Sequence, residues 1–276
     1  MNTTDPGHIG YRLGALLGST EEFEIYACEV EGHKACILKL AVTPANNGLL
    51  DREALLLRTL TEAAERLELG FGERCKGKDW LNYQFVFPRL LDSFIVPIAG
   101  DRRVNIMSLS EICSDISELV PLGHIASRDH QRVDPKTSAW ILGKLLKTLV
   151  FAHSLGIALV GEINGDNILV NRDEHFVCIF DWSGALEGPS AVDDEAACVD
   201  ISLVAIEVIE ALGGDRRLET LPESEQLEGN GYAEFIFGLA NGVEHSAIEA
   251  HRKHYELVRA IWPRGFHPFT AYPVNS

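Results

Sequence analysis

The sequence predicts an α+β chain of two lobes, a small antiparallel β lobe with one helix over residues 1–110 and a mainly helical lobe over 111–276. Three observations predict it. Short strand-like runs and tight turns crowd the first part, interrupted by a single long amphipathic helix. Helical apolar periodicity dominates the second part. One short β-hairpin lies among those later helices, bracketed by acidic and amide side chains. Strands grouped before helices, rather than alternating with them, is the α+β order.

In the first lobe, Tyr11 to Val30 reads as two strands turning over Gly18-Ser19-Thr20-Glu21-Glu22. Glu31-Gly32 makes a tight turn into a third strand, Lys34 to Leu40. That strand holds Lys39 in an apolar run, where a lysine is unusual unless paired. A helix follows from about Leu49 to Leu69, with Glu53 in its first turns. Gly70 to Lys78 reads as a glycine-rich charged loop. An aromatic run, Trp80 to Phe87, stops at Pro88, and its rings are core candidates. Leu90 to Ala99 and Arg103 to Ser108 complete the strands.

The second lobe starts with a polar, loop-like stretch, Gly123 to Val133. Asp134-Pro135 then starts a helix, with Asp at the N-cap and Pro at the first position. Leu142, Leu145, Leu146 and Leu149 share one face of it, and Gly156 breaks it. A polar loop, GEINGDN, leads into a hairpin of Ile168 to Val170 and Phe176 to Phe180. Asp181 follows the second strand, so the spacing predicts that Glu162, Asn167 and Asp181 gather at one edge. Two carboxylates and an amide are hard oxygen donors, suited to a divalent cation such as Mg²⁺ that carries phosphates. A short connector leads to a helix from about Glu195 to Leu212, closed by Gly213-Gly214. Leu218 to Asn230 reads as an acidic linker, followed by two last helices.

Composition narrows the partners. At 46% hydrophobic residues the chain is globular in character, and its formal net charge is −17. Nucleic acid and anionic membrane both need a basic face, so neither is expected as a partner. No run is long and apolar enough to span a bilayer, and the first residues show no signal pattern. The six cysteines form no C-x-x-C pair and read as reduced thiols, which points to the cytoplasm.

Taken in order, these pieces resemble the protein-kinase-like superfamily. Protein kinases carry H-R-D-L-x-x-x-N, a hairpin, then D-F-G. Here Val160-Gly161-Glu162 stands at the first triplet, Asn167 at the asparagine and Asp181-Trp182-Ser183 at the last triplet. Gly161-Glu162 and Asp181-Trp182 look more like the aminoglycoside-phosphotransferase branch and a bacterial kinase-like group with a D-W ending. Cys36-Ile37-Leu38-Lys39 is similar to V-A-I-K, and Gly18 and Ile25 match the first glycine and the valine of the glycine-rich hairpin. Asp200 resembles the helix aspartate that braces the catalytic loop.

The resemblance implies a cleft between the lobes that binds ATP. It implies that Lys39, paired with Glu53, orients the phosphates, and that Asn167 and Asp181 hold Mg²⁺. Ser108 to Glu111 would be the hinge, with Met107 and Leu109 beside the adenine. Glu162 takes the place of the residue that orients or deprotonates the acceptor hydroxyl. The chain departs from the family pattern in several places. Thr20 and Phe23 stand at the second and third glycines, with Glu21 and Glu22 at the tip. Glu162 replaces an aspartate, Asn164 a lysine and Gly161 an arginine, and the connector after Asp181 has no A-P-E. Two readings follow. One is an Mg²⁺-dependent phosphotransferase acting on a protein or small-molecule hydroxyl. The other is a degenerate kinase that serves as an interaction or regulatory module.

Overall fold

The computed structural model describes residues 10–75, 82–222, 231–262 and 265–274. Their contacts separate two units. One runs to Leu119 and includes Asp181–Gly184; the other holds Val120–Phe180 and the residues from Ala185 onward.

The first unit is built on a five-stranded antiparallel sheet in the order β1-β2-β3-β5-β4. Its strands are β1 (Tyr11–Ser19), β2 (Phe23–Val30), β3 (His33–Ala41), β4 (Arg89–Val96) and β5 (Arg102–Ser108). Alternation across β3 sorts its side chains. Cys36 and Leu38 join Cys28, Val30, Val104 and Ile106 in a core on one face. Ile37, Lys39 and Ala41 point the other way, and Ala41 packs with Phe23 and Leu50. Helix α1 (Asn47–Cys75) packs on β4 and β5. Leu50, Ala54, Leu57, Leu60 and Ala64 form its buried stripe. Glu53 falls within that stripe and is itself fully buried.

Two local expectations change. The loop expected from Gly70 is helical as far as Cys75, since a glycine inside a helix costs only about 1 kcal/mol and need not end it; residues 76–81 lie outside the described chain. The strand expected to reach Ala99 ends at Val96, and Pro97, which has no N–H for a ladder, starts a 3₁₀ turn.

The second unit is mainly helical. Its helices are α2 (Leu122–Ser127), α3 (Pro135–Ser154), α4 (Asp194–Ala211), α5 (Tyr232–Ala240) and α6 (Ala247–Ile261). Short strands accompany them: β6 (Leu119–Pro121), whose first residue belongs to the first unit, β7 (Gln131–Val133), β8 (Ile157–Ala158), β9 (Ile168–Asn171), β10 (Phe176–Ile179), β11 (Leu186–Glu187) and β12 (Ala271–Pro273). The Asp134 carboxylate accepts from the Thr137 N–H at 2.8 Å, and Pro135 opens α3. Gly156, at φ +72°, lets the chain turn sharply after it. The β9–β10 hairpin pairs Ile168 with Ile179 and Asn171 with Phe176. α3 packs against both α4 and α6. The stretch expected as loop, Gly123 to Val133, contains α2 and β7; elements this short carry no readable periodicity. Of the expected linker, residues 223–230 lie outside the described chain.

Candidate functional site

Strand register brings the first unit's candidates into one row. Gly18 pairs with Ile25, Ile25 with Lys39, and Lys39 with Asn105. Lys39 projects toward α1, and its Nζ lies 2.9 Å from Glu53 Oε1 and 2.7 Å from Asp181 Oδ1. The lysine and Glu53 side chains are both 0% exposed, whereas Asp181 keeps 23%. Burial works against the Lys39 ammonium, but the two carboxylates outweigh it and raise its pKa, so the lysine is charged. Burial likewise pushes the Asp181 carboxyl up. The Lys39 ammonium and the hydrogen bonds from Lys39 and Ser183 prevail and hold it below its ordinary value. The Ser183 N–H donates to Asp181 Oδ1 at 2.8 Å, and Trp182 is fully buried, edge-on to Phe87.

Two further residues complete this cluster, and the sequence alone assigns neither a role in it. Asn105 donates from Nδ2 to Glu53 Oε2 and to the Leu50 carbonyl, both at 2.9 Å. It fixes the glutamate that fixes the lysine. Its signal was an amide inside the apolar strand RRVNIMS. Phe23 lays its ring over Lys39 Nζ, 4.1 Å from the centroid.

The remaining first-unit candidates sit differently. A Cβ on Gly18 would meet nothing within 4 Å, so packing alone does not demand glycine there. Ile25 is half-buried. Met107 and Leu109 are buried in the core. The Leu109 N–H donates to the Ala35 carbonyl at 2.9 Å, and its own carbonyl accepts from Ile112 and Cys113.

In the second unit the loop between β8 and β9 is held from behind. Asp200, fully buried on α4, accepts from the N–H of Leu159 at 2.9 Å and of Val160 at 2.7 Å. His153 Nε2 lies 2.9 Å from the same carboxylate. These bonds hold Val160 at φ +41°, and Gly161 follows at φ +101°, so the backbone reverses just before Glu162. The Asn167 side-chain amide donates to the Glu162 carbonyl at 2.8 Å, which ties these two candidates together. Asn164 caps the turn, its side-chain oxygen accepting from Asp166 and Asn167 N–H. Glu207 of α4 also reaches this loop and accepts from the Gly165 N–H; burial, helped by Glu210 and Asp166, pushes its carboxyl up to about 7. Gly165 is tight against α2: a Cβ there would sit 2.8 Å from Gly123 backbone atoms and from Glu207 Oε2. The structure thus gathers Lys39, Glu53 and Asp181 in one unit, and Glu162 with Asn167 in the other.

Among solved structures, the kinase domain of PknI from Mycobacterium tuberculosis, as a double mutant, matches 90% of this chain and 95% of its own, with a TM-score of 0.52 and 16% identity. The fold is protein-kinase-like. No protein-family model matches the chain. No curated protein matches it either. Within the kinase-like fold, the five-stranded sheet with α1 is the small β lobe, and the helices around α3 and α4 form the helical lobe. No helix among the described residues is long and apolar enough to cross a membrane.

Proposed function

We propose that this protein binds ATP with Mg²⁺ and transfers phosphate to a hydroxyl of a protein or small molecule. The observation that carries the reading is the buried Lys39 held between Glu53 and Asp181. Burying three charges together costs several kcal/mol per ion in desolvation, and apolar residues of similar size would stabilise the fold as well. A chain that keeps such a cluster in a kinase-like fold has a use for the charges.

The residue types suit the metal and the nucleotide. Mg²⁺ takes oxygen ligands, needs only one or two carboxylates from the protein, and draws the rest from phosphate and water. Asp181 is ionised, partly exposed and fixed by Lys39 and Ser183. Asn167 donates its amide nitrogen to the Glu162 carbonyl and carries a carboxamide oxygen of the hard type that Mg²⁺ takes. In this reading Asp181 and Asn167 hold the metal, which neutralises the phosphates when bound. Lys39 orients those phosphates, with Glu53 and Asn105 holding it. Gly18 and Ile25 cover the nucleotide, and Met107 and Leu109 shape the adenine end. Glu162 orients the acceptor hydroxyl and takes its proton. The net charge of −17 supports an acceptor other than nucleic acid or an anionic membrane surface. Cys28, Cys36, Cys113, Cys178 and Cys198 are free thiols, which supports a reducing compartment such as the cytoplasm.

The test is ATP consumption with a panel of protein and hydroxylated small-molecule acceptors. Glu162→Gln abolishes transfer while ATP still binds. Glu162→Asp retains or raises it, because the shorter acid has one torsion fewer to fix. Robust transfer by Glu162→Gln sinks the role of Glu162 as base.

A specific observation favours a second reading, a degenerate kinase serving as an interaction module. Phe23 covers Lys39, and Glu21 and Glu22 set negative charge where phosphates would approach. The same panel separates the two, since a degenerate kinase consumes no ATP with any acceptor.

A further inference from the structure

The tip of the β1–β2 hairpin is closed on itself. Thr20 Oγ1 accepts from the N–H groups of Glu22 and Phe23, both at 3.1 Å. The Thr20 N–H donates to the Phe23 carbonyl at 2.8 Å, and the Glu22 carbonyl accepts from Val42 at 2.8 Å. Loops that cradle phosphates do so by leaving successive backbone N–H groups open to the anion. Here a threonine side chain and a carbonyl take three of them. Phe23, the residue directly after this turn, is buried with Ala41 and Leu50, and its ring covers the Lys39 ammonium. The turn that satisfies the N–H groups and the ring that covers the cation are therefore adjacent parts of one short segment.

We infer that the hairpin tip is a built-in gate on the phosphate subsite: Thr20 occupies the backbone donors and Phe23 the lysine, so nucleotide phosphates engage Lys39 only when the tip swings out. This inference rests on the nucleotide-binding reading. It predicts that the nucleoside part binds without hindrance, while the phosphates must displace contacts the protein makes with itself. Such a device lets a partner that holds the tip open switch on phosphate binding, because a ligand shifts an equilibrium only by its preference for one state.

The test is titration calorimetry of adenosine, ADP and ATP with Mg²⁺ on the full chain and on two variants. Thr20→Gly frees two N–H groups at an exposed position and leaves the core ring in place. Phe23→Ala uncovers Lys39. Each is expected to raise the affinity ratio of ATP over adenosine by about tenfold or more, with adenosine itself unchanged. Acetylation of Lys39, read by mass spectrometry, is expected to be faster in Phe23→Ala than in wild type. Where Phe23→Ala folds poorly, the affinity ratio of Thr20→Gly alone carries the test. An unmoved ratio and unchanged Lys39 acetylation in the folded variants overturn the gate. If neither adenosine nor any nucleotide binds wild type or variants, the nucleotide-binding reading falls, and the gate with it.

Discussion

A lysine in an apolar strand needs a partner, and Lys39 has two carboxylates and an aromatic face. Removing the lysine leaves Glu53 buried with Asn105 as its remaining donor. Lys39→Met is therefore expected to destabilise the fold by about 3–5 kcal/mol, and Lys39→Met/Glu53→Gln to recover a good part of that. Urea unfolding of the two variants checks it; equal stability of single and double variant contradicts the coupling. The lysine was legible because its type clashes with its apolar strand, and the helix glutamate as the acid in the first turns of the helix that follows. Asn105 and Phe23 were not, since an amide and a ring in strand-like runs acquire meaning only through register. Register set Asn105 beside Lys39 across β3 and β5.

The elements of the helical unit are fitted by single small residues. A Cβ on Gly143 of α3 would meet His254 Cε1 of α6 at 2.9 Å. Gly143→Ala is expected to cost about 1–3 kcal/mol, read as a lowered melting temperature. Its neighbour gives a pH signature. Burial, reinforced by His251, lowers the His254 imidazole from 6.5 to about 4, against a hydrogen bond to Ala139 that raises it. The unfolded chain takes up that proton near pH 6.5 and the folded chain only near 4, so stability falls as pH drops through this window. Glu207, raised from 4.5 to about 7, acts in the opposite sense: its contribution is present at low pH and lost as pH rises toward 7. The clean readout is therefore a difference. Between pH 7.5 and pH 5, wild type is expected to lose about 2 kcal/mol more than His254→Asn. Equal losses would show that His254 does not titrate this way. The long helices and the β9–β10 hairpin were readable from caps, breakers and periodicity. α2 was not, because one and a half turns leave no pattern, and its role depends on the contact of Gly123 with Gly165, far along the chain.

At the scale of the whole molecule, a net charge of −17 repels itself. The melting temperature is expected to rise by a few degrees between about 20 and 200 mM NaCl as screening sets in; a flat or falling profile contradicts a repulsive charge distribution. The order and spacing of Gly18, Lys39, Glu53, Asn167, Asp181 and Asp200 made the kinase-like fold legible. The state of the hairpin tip was not. Glutamates at the tip signalled poor phosphate binding, but the contacts that Thr20 and Phe23 make there appear only in three dimensions. The central claim is that the Lys39–Glu53–Asp181 cluster serves a magnesium-bound nucleotide. The most direct test is the affinity for ATP with and without Mg²⁺, in wild type and in Asp181→Asn. The variant keeps a side-chain oxygen for Lys39 and should stay folded. Mg²⁺ is expected to tighten ATP binding by about tenfold in wild type and not at all in Asp181→Asn. The same Mg²⁺ dependence in the folded variant, or no ATP binding by wild type at millimolar nucleotide, would contradict the claim.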